Sequence, residues 1–96
     1  MEPINQYIHP AAGVTGQILD REAVIILPQH GQVKVLNEVG AHIWSLIDGT
    51  RTIRELATAV AAVYAVEPNQ VEADTLSFVG DLAKRGMVTL ERHPAR

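Results

Sequence analysis

Val-Lys-Val-Leu-Asn-Glu (Val33–Glu38), Ile-Trp-Ser-Leu-Ile-Asp-Gly-Thr-Arg-Thr-Ile-Arg-Glu-Leu (Ile43–Leu56), Val-Glu-Ala-Asp-Thr-Leu-Ser-Phe-Val (Val71–Val79) and Lys-Arg-Gly-Met (Lys84–Met87) decide the fold. The first reads as a strand that runs into a helix, because Asn37 is a good N-cap and Leu36, Val39, Ile43, Leu46 and Ile47 then recur at helical spacing, with Trp44 beside them at the core rim. Gly40 costs about 1 kcal/mol against alanine inside a helix, which predicts a close approach of another backbone there. Asp48-Gly49 stops this helix, and Thr52 with Glu55 forms a capping box for the next. Ile53, Leu56, Ala57, Val60, Ala61 and Tyr64 share one face of that second helix. Pro68 suits the first turn of a third, where its missing N–H does no harm. Val71, Thr75, Phe78, Val79 and Leu82 line one side of it, and Gly86 fits the position just past its end.

Upstream, Gly16–Leu19 and Ala23–Leu27 are β-branched runs separated by Asp20-Arg21-Glu22, which predicts a hairpin. Pro28-Gln29-His30-Gly31 is a second turn, followed by a third strand over Gln32–Leu36. The expected architecture is α+β, winged helix-turn-helix-like: a three-stranded antiparallel meander followed by three α-helices. Residues 1–14 read as an extended arm, 15–90 as the domain and 91–96 as a tail, with Met87–Leu90 an extended tail or wing.

A chain of 96 residues holds one domain with a modest core. The absence of cysteine excludes disulfides, thiolate metal sites and cysteine nucleophiles, and fits a cytoplasmic protein. Met1–Gln6 has no basic region leading into an apolar run, so no secretory signal is expected there. Leu56–Val66 is too short to span a bilayer.

Catalysis is not expected. The four histidines, His9, His30, His42 and His93, lack metal-ligand spacing, and no glycine-rich phosphate loop is present. Ser45 and Ser77 lie within helices, where a nucleophile elbow cannot form. A winged-helix DNA-binding regulator is the alternative class. Against it stand a net charge of −3 and a third helix whose N-terminal half carries Glu72 and Asp74 but no Arg or Lys.

The third strand, Gln32-Val33-Lys34-Val35-Leu36, lies at a sheet edge with alternating side chains and no proline to blunt it. Such an edge takes another strand, is covered by the chain's own arm or tail, or pairs in a symmetric dimer. Together with the quoted segments, it resembles the PqqD family, whose members are non-catalytic RiPP recognition elements. The resemblance implies that a precursor's leader peptide adds beside Gln32, Val33, Lys34, Val35 and Leu36, with apolar side chains in a groove lined by Val71, Thr75, Phe78 and Leu82. Asp74 matches the family's acidic position and would meet a polar or basic leader group; as a carboxylate near a helix N-terminus it also suits the helix dipole. The implied partners are the precursor peptide and a maturation enzyme, more often a radical S-adenosylmethionine protein than a leader peptidase. No cofactor, nucleic acid or membrane is implied, and the chain is expected to be a monomer or weak homodimer.

Overall fold

A computed structural model describes residues 3–65 and 67–95. Met1, Glu2, Val66 and Arg96, which include the outermost residues of the expected arm and tail, lie outside the described residues. The elements run β1 (Tyr7–Pro10), β2 (Thr15–Leu19), β3 (Glu22–Leu27), β4 (Gln32–Leu36), α1 (Glu38–Ser45), α2 (Ile53–Tyr64), α3 (Pro68–Lys84) and β5 (Val88–Glu91). The meander and the three helices stand as expected, in an α+β architecture.

Local chemistry explains most boundaries. Asp20 takes a left-handed φ of 61° in the two-residue turn between β2 and β3, a conformation that aspartate tolerates better than most side chains. Gly31, at φ 63°, closes the turn from β3 to β4 and donates to the Pro28 carbonyl at 3.1 Å. Asn37 caps α1 by accepting from the Gly40 amide at 2.9 Å. Thr52 and Glu55 make both bonds of the capping box, at 3.2 and 2.9 Å. At the end of α3 the Gly86 amide reaches the Ala83 carbonyl and the Met87 amide reaches that of Leu82. This paired Schellman closure turns Met87 into the core, where it is fully buried.

One face of the meander packs on the helices. Ala23, Ile25 and Leu27 of β3 and Leu36 of β4 meet Ile43 of α1, Leu56 and Val60 of α2, and Val79 and Leu82 of α3. Gly16 sits on this inward face because a Cβ there would overlap the Trp44 indole nitrogen. Trp44 itself is half-buried against the core.

The N-terminal segment, expected as an extended arm, is tied to the rest of the fold. Tyr7–Pro10 is extended but pairs antiparallel with β5, Ile8 opposite Leu90 and Pro10 opposite Val88. Ile8 is buried, its amide donates to the Arg51 carbonyl at 3.1 Å, and the Ile53 amide returns to Gln6 at 3.3 Å. Of Met87–Leu90, expected as an extended tail or a wing, Val88–Leu90 is extended: Val88–Glu91 pairs with β1 in a second, two-stranded sheet separate from the meander. The tail folds back as well, the Ala95 amide donating to Gly49 at 2.7 Å.

Candidate functional site

Among the described residues, sheet order β2-β3-β4 leaves β4 paired on one side only, with β3. The register tells which of its backbone groups face outward. Leu19 and Glu22 close a two-residue turn and so form a hydrogen-bonded pair. Alternating from there, β3 uses Ala23, Ile25 and Leu27 to bond β4 through Leu36, Lys34 and Gln32. The N–H and C=O groups of Val33 and Val35 are thus left on the free edge, unblunted by a bulge or proline.

A groove of about 390 Å³ opens beside that edge. Lys34, Val35 and Leu36 of β4 form one wall together with Asn37, Val39 and Gly40 at the start of α1. Val71, Asp74, Thr75 and Phe78 of α3 form the other, at the i, i+3, i+4, i+7 spacing of one helix face. Ile43 and Val60, both buried, make the floor. Seven of the ten residues expected at the site therefore meet in one place. Of the other three, Gln32 and Val33 lie on β4 outside the groove lining, Val33 with its side chain 58% exposed.

Leu82 is a correction. It is fully buried in the core and lines no part of the groove. The core and the groove are adjacent directions from α3, so periodicity alone puts Leu82 and Phe78 on the same side. Gly40 needs a second correction. Its close neighbours are side chains: an added Cβ would lie 3.3 Å from the Leu36 Cβ and 3.4 Å from the Phe78 ring. Glycine here makes room for Phe78 at the groove wall. Sequence reasoning missed Asn37, Val39, Gly40, Ile43 and Val60 as groove-lining residues. The sequence carries no signal for that role: Val39, 38% exposed in the fold, reads there as one more apolar residue of α1.

Charge frames the groove without filling it. Asp81 on α3 receives Arg85 at 3.0 Å and Lys34 at 3.2 Å, tying β4 to the helix. Hydrogen bonds first from Arg85 and then from Lys34 hold the Asp81 carboxyl below its ordinary value of 3.8. A depressed carboxylate stabilises the fold above its unfolded pKa and loses that contribution as pH falls through the folded one. Asp81→Asn is therefore expected to lower the melting temperature slightly at pH 7, the pairs being solvent-exposed. The gap to wild type should close as pH drops below 3.8 in parallel thermal melts. A gap that widens in acid would contradict this. Asp74 stays exposed, its oxygens accepting from Gln70 at 3.0 and 3.1 Å.

Among the described residues no group of three or more His, Asp or Glu side chains gathers as a metal site, and no helix is long and apolar enough to cross a membrane. Residues 22–88 match the family model of coenzyme PQQ synthesis protein D, PqqD. The chain belongs to the PqqD family. The match begins at β3 and ends at the first residue of β5, so it contains the edge strand, both groove walls and the floor.

Solved structures agree with this membership. TbiB1, in complex with the TbiA(beta) leader peptide, is 30% identical, with 83% of this chain and 93% of that one covered and a TM-score of 0.77. A lasso peptide synthetase B1 complexed with its leader peptide shares the fold at 21% identity, 85% and 96% coverage and a TM-score of 0.75. The PqqD truncation of Methylobacterium extorquens PqqCD, a stand-alone RiPP recognition element, does so at 20% identity, 92% and 93% coverage and a TM-score of 0.73. No curated protein sequence matches.

Proposed function

We propose that this PqqD-family chain binds the leader segment of a ribosomally made precursor peptide. The leader adds as a strand to the free edge of β4, and its inward-facing side chains seat in the groove against α3. The observation that carries this reading is the juxtaposition of an unpaired strand edge, at Val33 and Val35, with an apolar trough directly beside it. TbiB1, the 30% identical relative, supports it by being bound to a leader peptide.

Magnitudes divide the labour between edge and groove. About five backbone hydrogen bonds at a net ~1 kcal/mol each give about 5 kcal/mol, whereas ordering six peptide residues costs roughly 6–12 kcal/mol. Two or three leucine-sized anchors at about 1.5–3 kcal/mol apiece close that gap. Edge pairing orients the leader, and the groove supplies affinity and register.

The domain performs no chemistry of its own. It raises the effective concentration of the precursor's core segment near a separate maturation enzyme, a radical S-adenosylmethionine protein before a leader peptidase. That role belongs in the cytoplasm, where precursors are made. DNA reading finds no footing: on α3, Glu72 faces Arg54 across a 3.8 Å pair and Asp74 stands exposed.

Calorimetric titration of the chain with the leader half of a short peptide encoded beside its gene tests this reading. Saturable one-to-one binding is expected; a silent titration together with a gel shift at low salt would overturn it. The groove's width gives a further expectation. Gly40→Ala should leave stability within about 1 kcal/mol, because helix propensity gained offsets the tight contacts, but it pushes the Phe78 ring into the trough. Leader affinity should fall several-fold in the same titration, and an unchanged affinity would remove Gly40 from the site.

A further inference from the structure

Each polar side chain that lines the groove, but for one, makes at least one hydrogen bond or ion pair. Asn37 Oδ1 accepts the α1 cap bond, both Asp74 oxygens accept from Gln70, and Lys34 is held by Asp81. The exception is Thr75. Its side chain is 1% exposed, and its hydroxyl is the one buried side-chain polar atom among the described residues that has no hydrogen-bond partner. A helical threonine commonly bonds the carbonyl one turn back; this one does not. Nothing in the packing demands the hydroxyl, since valine has the same shape and would fill the site among Leu36, Val60 and Val71 without an orphaned group.

Resting on the leader-binding reading above, we infer that Thr75 is a specificity residue: its hydroxyl receives a neutral polar side chain of the leader, a hydroxyl or carboxamide, at one inward-facing position between aliphatic anchors. A neutral group is required. The surroundings, Leu36, Ile43, Val60 and Val71, are buried and apolar, so a charged head at that depth would be left poorly solvated. Cationic groups of the leader belong instead at the exposed Asp74 carboxylate one residue away. A leader with a hydroxyl or carboxamide at that position gains a hydrogen bond that an all-aliphatic strand cannot make, and the groove prefers it by that bond.

The test is a display selection with random 12-residue peptides on wild type, Thr75→Val and Thr75→Ser. Wild type and Thr75→Ser should enrich strand-like peptides with Ser, Thr, Asn or Gln at one fixed position, flanked by aliphatic residues two positions away. Thr75→Val should enrich an aliphatic residue at that position while keeping the flanks. Exchanging the central residue should cost the wild type about tenfold or more in affinity. Thr75→Val should also melt at least about 4 °C higher than wild type. Identical preferences in wild type and Thr75→Val would overturn the role of Thr75 and leave strand addition standing. Enriched peptides that bind Phe78→Ala and Val35→Pro as well as they bind wild type, or no enrichment at all, would overturn the leader-binding reading and this inference with it.

Discussion

Phe78→Ala is expected to weaken leader binding by roughly 30- to 700-fold while the protein stays folded. The ring is half-buried on the groove wall, where Gly40 makes room for it. A partly exposed aromatic beside a trough is the setting in which truncation of an interface anchor costs about 2–4 kcal/mol, at about 1.4 kcal/mol per tenfold. Stability should suffer less than the ~3–5 kcal/mol lost when a fully buried phenylalanine is removed, because solvent already reaches one side of the ring. Lys34→Ala is the control. Its ammonium is committed to the exposed Asp81 carboxylate, and surface pairs of this kind are worth about 0–1 kcal/mol. Binding to Lys34→Ala should therefore stay within about threefold of wild type. Calorimetric titrations giving the two variants equal losses would refute the assignment of Phe78.

Val35→Pro should abolish strand addition at small cost to the fold. The Val35 N–H faces the free edge, and proline is tolerated on edge strands where that donor points to solvent. The proline ring removes one leader hydrogen bond and stands where the incoming backbone must lie. Its restriction on the preceding residue favours extended geometry, which Lys34 already has within β4. Leader affinity should drop at least about tenfold with an unchanged circular dichroism spectrum. The matched substitution Lys34→Pro should unfold the meander, since the Lys34 amide bonds β3. Should Val35→Pro unfold the chain and Lys34→Pro leave it intact, the register argument for the edge is wrong.

Legibility of this molecule in its sequence followed the range of the interactions concerned. Asn37, the Thr52–Glu55 box and Gly86 act within one helical turn, so their residue types announced α1, α2 and the end of α3 directly. The pairing of β1 with β5 was not legible. It joins two four-residue segments more than 75 positions apart, one containing Pro10, and neither is long enough to show a period. At the site, periodicity put Val71, Thr75, Phe78, Val79 and Leu82 on one side of α3, and the family resemblance made part of that side the groove. Periodicity could not separate groove from core, which is why Leu82 was grouped with the groove residues. The contribution of α1 escaped for a related reason: Val39 and Ile43 looked like core residues of one helix, and only the tertiary packing turns that face toward α3.

Amide hydrogen exchange followed residue by residue, with and without the leader peptide, tests the central claim most directly. Strand addition to β4 predicts that the Val33 and Val35 amides, free on the open edge, become strongly protected on binding, while the Gln32, Lys34 and Leu36 amides, already bonded to β3, change little. Saturating leader that leaves Val33 and Val35 exchanging at their original rates would contradict it.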